Sequence, residues 1–231
     1  MTHQYKDITY SLTRSRRKTA SIYIERDGSV SVLIPEELSQ ADLELMLERK
    51  RTWIYRNLVE WKDLNATRIQ RDYVNGEGFL YLGRTYRLRL VEDQGVPLKL
   101  KDGRFCLRAD FTRNGNPDKA FRDFYRDKGK ERIGKRVDHY AARIGLTVKA
   151  VKVMELKNRW ASCNPEQHLV NFHWKCMMAP PTIIDYIVVH ELAHLFHPSH
   201  TEAFWNEVDK VMPDYREKKN WLRIHGAGMD V

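Results

Sequence analysis

His190-Glu191-Leu192-Ala193-His194, followed by His200, decides how this chain is read. On a helix, residues four apart share a face, so the imidazoles of His190 and His194 can meet at one metal ion. Glu191 follows His190, about 100° around the helix axis. It need not be a ligand there and is placed to take a proton from water on the metal. The pattern points to metal-assisted hydrolysis, with peptide bonds the expected target.

The sequence around the motif fits a buried helix. Pro180-Pro181-Thr182 precedes an apolar run, and Thr182 with Asp185 three residues later resembles an N-terminal capping pair. Ile183, Ile187, His190 and His194 fall on one stripe, flanked by Ile184, Val188 and Leu195. Polar rings on such a face need a partner, and a metal satisfies two imidazoles at once. Two residues compete to be the third ligand. His197 continues the stripe, but three ligands in line along one helix fit a tetrahedral ion poorly, and Pro198 biases His197 away from helical geometry. Ser199 with Glu202 looks like the cap of a new helix that has His200 in its first turn. A turn at Pro198 would bring His200 back to the metal. The spacing favours His200, with His197 in the loop or behind the ligands.

At 231 residues and 42% hydrophobic content the chain has room for one or two domains and a proper core. No stretch approaches the length of a membrane span, and residues 1–18 are polar and basic, unlike a secretory signal. Cys106, Cys163 and Cys176 are odd in number, widely spaced and without a CxxC pair. Neither a disulfide framework nor a cysteine zinc site is expected, and a reduced, cytoplasmic protein is. The net charge of +9 is spread over both halves. Its densest part, Arg113 to Arg136, carries nine basic and four acidic residues on a helical pattern. Such a field attracts nucleic acid, although a mixed run is more often a solvated helix face.

The expected fold class is α+β: a small β-rich domain over 1–112 with one long helix, then a minimal zincin-type metallopeptidase domain over 113–231 carrying the HExxH helix. Ser21–Glu25 and Ser29–Ile34 alternate in polarity around Asp27-Gly28, a hairpin signal. Ser39 with Asp42 opens a helix carrying Leu43, Leu45, Met46, Leu47, Trp53, Ile54, Leu58 and Trp61. Strand pairs follow around Gly83 and around Asp102-Gly103. The turn formers from Arg113 to Pro117 mark the expected boundary. Beyond it a helix over 118–144 should bury Phe121, Phe124, Tyr125, Ile133, Val137 and Tyr140. Val148–Leu156 and Gln167–Trp174 read as two strands around Asn164-Pro165. A helix over about 200–212 is expected to bury Phe204, Val208, Val211 and Met212.

Together these residues resemble a known family. Lys157-Asn-Arg-Trp-Ala-Ser-Cys163, Asn171-Phe-His-Trp174, the run from Asp185 to His194, His200 and Phe204-Trp205 are similar to the YgjP-like metallopeptidases, which are related to SprT-like and WLM domains. Ser15-Arg-Arg-Lys18, the Asp27-Gly28 hairpin and Tyr81-Leu-Gly83 also match that layout. The resemblance implies a zinc-dependent peptidase with His190, His194 and His200 as ligands of Zn²⁺ and Glu191 as general base. The family has Gly where this chain has Ala161, and Asn where it has His173. A glycine held at positive φ there would make Ala161 reshape the loop. Arg159, Trp160 and His173 are candidate substrate contacts, with Arg159-Trp160 as a stacking pair beside the hairpin the alternative. Arg159, Tyr215 and His225 are candidates for a second oxyanion donor. The Gln167–Trp174 strand is expected to pair with an extended peptide. Cys163 reads as a packed residue rather than a nucleophile. The expected partner is a protein or peptide, with no membrane. The competing reading is a nucleic-acid-associated protein whose zinc site is accessory or acts on DNA-bound proteins.

Overall fold

The computed structural model describes residues 2–24, 28–65, 71–113, 115–156 and 159–231, the side chains of 60–65 apart. Of the features named above, Asp27, Asn114, Lys157, Asn158, the last residue of the Ser21–Glu25 strand and the Trp61 side chain lie outside the described residues. The chain divides into two units, Met1–Arg68 and Ile69–Val231.

In the first unit, β1 (Thr2–Tyr5), β2 (Ile8–Ser15), β3 (Ser21–Ile24) and β4 (Val30–Pro35) form a sheet in the order β1-β2-β4-β3. β3 and β4 are the antiparallel pair expected from their alternation, while β2 and β4 run parallel. Side chains alternate across a strand, so Val30, Val32 and Ile34 share the buried face with Ile8 and Tyr10. α1 (Gln40–Asn65) begins at Ser39, whose Oγ accepts the Asp42 N–H at 3.1 Å, the expected cap. It adds Leu43, Leu47 and Ile54 to the same core. Leu45 and Trp53, also carried on this helix, are 50% and 42% exposed. The stripe of Leu43, Leu47 and Ile54 already fills the face toward the sheet, and Leu45 lies about 200° around the helix from Leu43. β1 and β2 were not foreseen. β1 is an edge strand with polar side chains, held by its ladder to β2, so its sequence carries no apolar alternation.

The second unit starts with β5 (Gly78–Tyr81), β6 (Arg84–Val91), β7 (Leu98–Lys101) and β8 (Arg104–Arg108), ordered β5-β6-β8-β7. The expected turns at Leu82-Gly83 and Asp102-Gly103 close the two antiparallel pairs, all four residues at positive φ. After the short α2 (Asp110–Arg113), α3 (Pro117–Arg143) opens at Asn116, whose Oδ1 accepts the Lys119 N–H at 2.9 Å. Its buried face is Phe121, Tyr125, Ile133, Val137 and Tyr140; Phe124 packs at the margin.

The expected boundary near residue 113 falls inside this unit. Phe79 stacks on Phe121 with centroids 4.2 Å apart, and Tyr125 donates its O–H to the Leu80 carbonyl at 2.6 Å. The β5–β8 sheet and α3 thus share one core, and the turn formers at 113–117 only start a helix within it.

β9 (Ala150–Met154), β10 (Ala161–Asn164) and β11 (Leu169–His173) form a third sheet, ordered β10-β11-β9. The hairpin around Asn164-Pro165 joins β11 to β10, whereas β9 pairs parallel with β11. Sequence reading passed over β10 because Ala-Ser-Cys-Asn has neither β-branched residues nor clear alternation. A 3₁₀ turn (Trp174–Met178) leads to α4 (Pro181–Ala193), α5 (Glu202–Val211) and α6 (Tyr215–His225). α5 buries Phe204 and Val208 as expected, and α6 was not anticipated. Among the described residues no helix is long and apolar enough to cross a membrane.

The Gly83 turn anchors the approach to α4. Leu82 and Gly83 donate their N–H groups to the carbonyls of Met177 and Met178 at 2.8 and 3.0 Å. Gly83 has φ +76°, and a Cβ there would lie 2.8 Å from Pro180 Cγ. Gly83→Ala therefore combines strain with a clash and should cost about 2 kcal/mol in urea unfolding. A loss under about 0.5 kcal/mol would show that the turn is not fixed against Pro180.

Candidate metal centre

α4 is apolar almost all round, with Ile183, Ile184, Tyr186, Ile187, Val188, Val189, Leu192 and Ala193 buried. Most of such a helix is packed inside the protein, so a polar group on its buried faces must be satisfied there. The expected Thr182–Asp185 cap does not form: Pro180 is the N-cap and makes no side-chain cap bond. Arg136 of α3 claims Asp185 instead, its Nε and Nη2 donating to the two carboxylate oxygens at 2.5 and 2.6 Å. A bidentate charged partner outcompetes a local cap and ties α4 to α3.

One turn apart at the end of this helix, the rings of His190 and His194 stand 5.0 Å apart. His200 closes the triangle at 4.9 and 4.7 Å. One nitrogen from each ring lies within 4.8 Å of the other two, and Nε2 of His190 and His200 are 3.0 Å apart. Zinc–nitrogen bonds of about 2.0–2.1 Å put tetrahedral ligand nitrogens about 3.3 Å apart, so the cluster is near the size that ion requires.

The expected Ser199 cap is replaced by Thr201, whose Oγ1 accepts the Phe204 N–H at 3.4 Å. His200 thus precedes α5 and is not in its first turn. It is held from outside: Trp205 stacks on it at 5.6 Å and 20°, and Tyr215 stacks on Trp205 at 5.1 Å and 14°. Phe204 lies within 4.9 Å of all three imidazoles.

His197 enters the site only through its backbone. Its carbonyl accepts the Nδ1–H of His194 at 3.0 Å. A carbonyl can only accept, so the proton is on Nδ1 and the Nε2 lone pair of His194 is left for the cluster. Burial lowers the affinity of all three rings for a second proton. His190 is pushed down to about 3, with His194, His200 and Lys219 adding to the burial effect. His194 and His200 are lowered by burial first as well. Neutral imidazoles are the form that binds metal.

Glu191 is 6% exposed, and burial pushes its carboxyl up to about 8 against the opposing pull of Arg159. Cys163 on β10 is pushed up to about 12 by burial and then by Glu191, so its thiol stays protonated and packed. Ala161 pairs with Phe172 in extended strand, without positive φ, so alanine reshapes nothing at that position.

The other expected contacts divide. Arg159 is exposed and its field reaches Glu191. Trp160 is half-buried against Gly226, where a Cβ would meet its Cζ2 at 2.7 Å, and packs as a structural wedge. His173 does not fit a substrate contact, being 2% exposed with both ring nitrogens engaged. Its Nδ1 accepts the Lys175 N–H at 3.0 Å, so its Nε2–H donates to Glu155, whose other oxygen accepts the Trp174 Nε1–H at 2.6 Å. Tyr215 is buried behind Trp205 with its O–H facing Arg216, and His225 lies exposed against Trp221. Glu155 and Lys219 were missed; an exposed acid and an exposed lysine carry no sequence signal.

The family pattern described as "YgjP-like, metallopeptidase domain" matches residues 18–225. The chain belongs to the YgjP-like metallopeptidase family. Among solved structures, this YgjP-like chain is similar to "Crystal structure of the metallopeptidase zymogen of Pyrococcus abyssi abylysin" at 23% identity. The match covers 43% of this chain and 99% of the other, with a TM-score of 0.39. No curated protein matches it.

The two candidate third histidines separate in a metal-binding assay. His200→Ala should weaken metal affinity by more than about a hundredfold, while His197→Ala keeps the carbonyl and should stay within about tenfold of wild type. The reverse order, read by competition with a chromogenic chelator, would move the site to His197.

Proposed function

We propose that this metallopeptidase is a zinc enzyme in which His190, His194 and His200 hold Zn²⁺ and Glu191 is the general base. One observation carries the reading: three imidazole nitrogens converge within 4.8 Å of one another beside a buried carboxyl on the same helix. The donor set fits the ion, since three neutral imidazoles leave one position of a tetrahedron for water or substrate. Bound there, zinc supplies a Lewis acid that acidifies water and polarises the scissile carbonyl.

The chain's own residues do the rest. Glu191 accepts a proton from the attacking water and later delivers it to the leaving amine. Its burial suits the task, because a carboxyl whose proton affinity lies near neutral pH can both take up and release one. Phe204 and the Trp205–Tyr215 stack exclude water from one side of the imidazoles. Arg159 offers positive charge on the side of Glu191 and is the strongest remaining candidate for oxyanion support.

Extended peptide is the proposed substrate form, paired with β10. The Gln167–Trp174 strand cannot serve, because β11 is the centre of its sheet with a neighbour on each side, whereas β10 is an edge. The three cysteines are free, which fits a reducing compartment, with the cytoplasm as the proposed location. Nucleic-acid binding through Arg113–Arg136 gains no support. Seven of its basic residues pair with carboxylates: Arg113–Glu92, Lys119–Asp123, Arg122–Asp118, Arg126–Asp123, Lys130–Asp127, Lys135–Glu131 and Arg136–Asp185.

Glu191→Gln should keep its zinc by elemental analysis and lose peptide hydrolysis by roughly 10²–10⁴-fold. Activity equal to wild type would refute the assignment of the base. Stripping the metal with a chelator should abolish cleavage, and added Zn²⁺ should restore it.

A further inference from the structure

Next to the histidine cluster, on the far side of Trp205, lies a recess of about 360 Å³ between α5 and α6. Trp205 and Tyr215 form its aromatic wall, and Arg216, Lys219, Asn220 and Arg223 its rim. The three cations recur at i, i+3 and i+7, which places them on one face of α6. Two of them are held against the aromatics. Lys219 Nζ lies 4.3 Å over the Trp205 ring, the Arg216 guanidinium lies 5.5 Å over Tyr215, and Arg216 Nε donates to the Tyr215 hydroxyl at 3.3 Å. Arg223 donates to Asn220 Oδ1 at 3.0 Å.

Among the described residues no acidic side chain lines the recess, Asp209 acts on Arg216 only from a distance, and neither Arg216 nor Lys219 forms an ion pair with a carboxylate. Neighbouring cations do: Lys218 pairs with Asp214, and Lys210 with Glu207. An ordinary solvated helix face would not gather Arg216 and Lys219 around one concave aromatic surface. The surface is also continuous with the metal centre, since the Trp205 ring that Lys219 covers has His200 stacked on it.

We propose that this recess is a specificity subsite that binds a carboxylate of the peptide substrate, with Arg216 and Lys219 as its principal contacts. Guanidinium and ammonium donors above an aromatic wall are the chemistry that recognises carboxylate. One ring separates the recess from His200, and an extended peptide advances about 3.3 Å per residue. The carboxylate therefore belongs within about two residues of the scissile bond. It is either an Asp or Glu side chain or the substrate's own C-terminus. The inference rests on the peptidase reading above.

Equilibrium binding to zinc-loaded, full-length Glu191→Gln tests it without relying on turnover. Fluorescein-labelled peptides would carry Asp or Glu at each of several positions, with Asn or Gln counterparts, each set with a free and an amidated C-terminus. The acidic member of a pair should bind about tenfold tighter. Adding Arg216→Gln and Lys219→Gln should bring that ratio to about one, while Lys219→Arg should preserve it. On the parent protein the ratio should also shrink as salt is raised. A preference that survives amidation assigns the site to a side chain, and one lost on amidation assigns it to the C-terminus. An acid-to-amide ratio near one in the parent protein, a ratio insensitive to salt, or one unchanged in the double variant overturns the proposal. So does a double variant that loses affinity for a short DNA duplex but keeps its acid preference. Failure of the Glu191-containing enzyme to cleave any of these peptides would instead overturn the peptidase reading, leaving the binding result to stand.

Discussion

Two half-buried imidazoles and a buried carboxyl sit at the end of a largely apolar helix, and the second unit is organised around satisfying them. Polar groups in such a place are stable only with partners, or when they meet a ligand that partners them together. Glu191 is buried and His190 and His194 are half-buried, at the end of a helix whose other side chains are mostly apolar and packed. Their ordinary proton equilibria are displaced as a result: the imidazoles stay neutral and the carboxyl holds its proton more tightly. Both displacements are useful to a metallopeptidase, one for binding a cation and one for moving a proton.

Rigidity of α4 comes from contacts distant in sequence. Arg136 grips Asp185 with two charge-assisted bonds, and the Gly83 turn closes on the backbone ahead of Pro180. The β5–β8 sheet reaches the site through this turn, which is why it belongs with the metal helix and not with the N-terminal unit. Tyr125 adds a third tie by donating to Leu80 while stacking on Trp174.

His200 poses the opposite problem, being exposed and in a loop. An aromatic stack replaces burial as its constraint: Tyr215 supports Trp205, and Trp205 supports the imidazole. That same stack forms the wall of the basic recess. The histidine cluster and the proposed substrate preference therefore share structural parts, and α6 contributes to both although it supplies none of the three histidines.

The helix spacing in HExxH, the apolar stripe leading into it and the break at Pro198 suffice to single out the histidines that the fold brings together, because placement within one helix is local geometry. The Ser39 cap and the Gly83 and Gly103 turns are legible for the same reason. Sequence weighed His197 against His200 and favoured His200, but gave Asp185 and His173 the wrong partners and placed a boundary at 113–117 inside one core. Those are matters of contact between residues far apart in the chain: Arg136 reaching Asp185, Glu155 reaching His173, Phe121 reaching Phe79. β1 and β10 escaped notice because an edge strand is stabilised by its neighbour's backbone rather than by its own side chains. Local spacing thus determined which residues could do the chemistry, and tertiary packing decided which of them meet, since burial and long-range hydrogen bonds depend on neighbours that no short stretch of sequence contains.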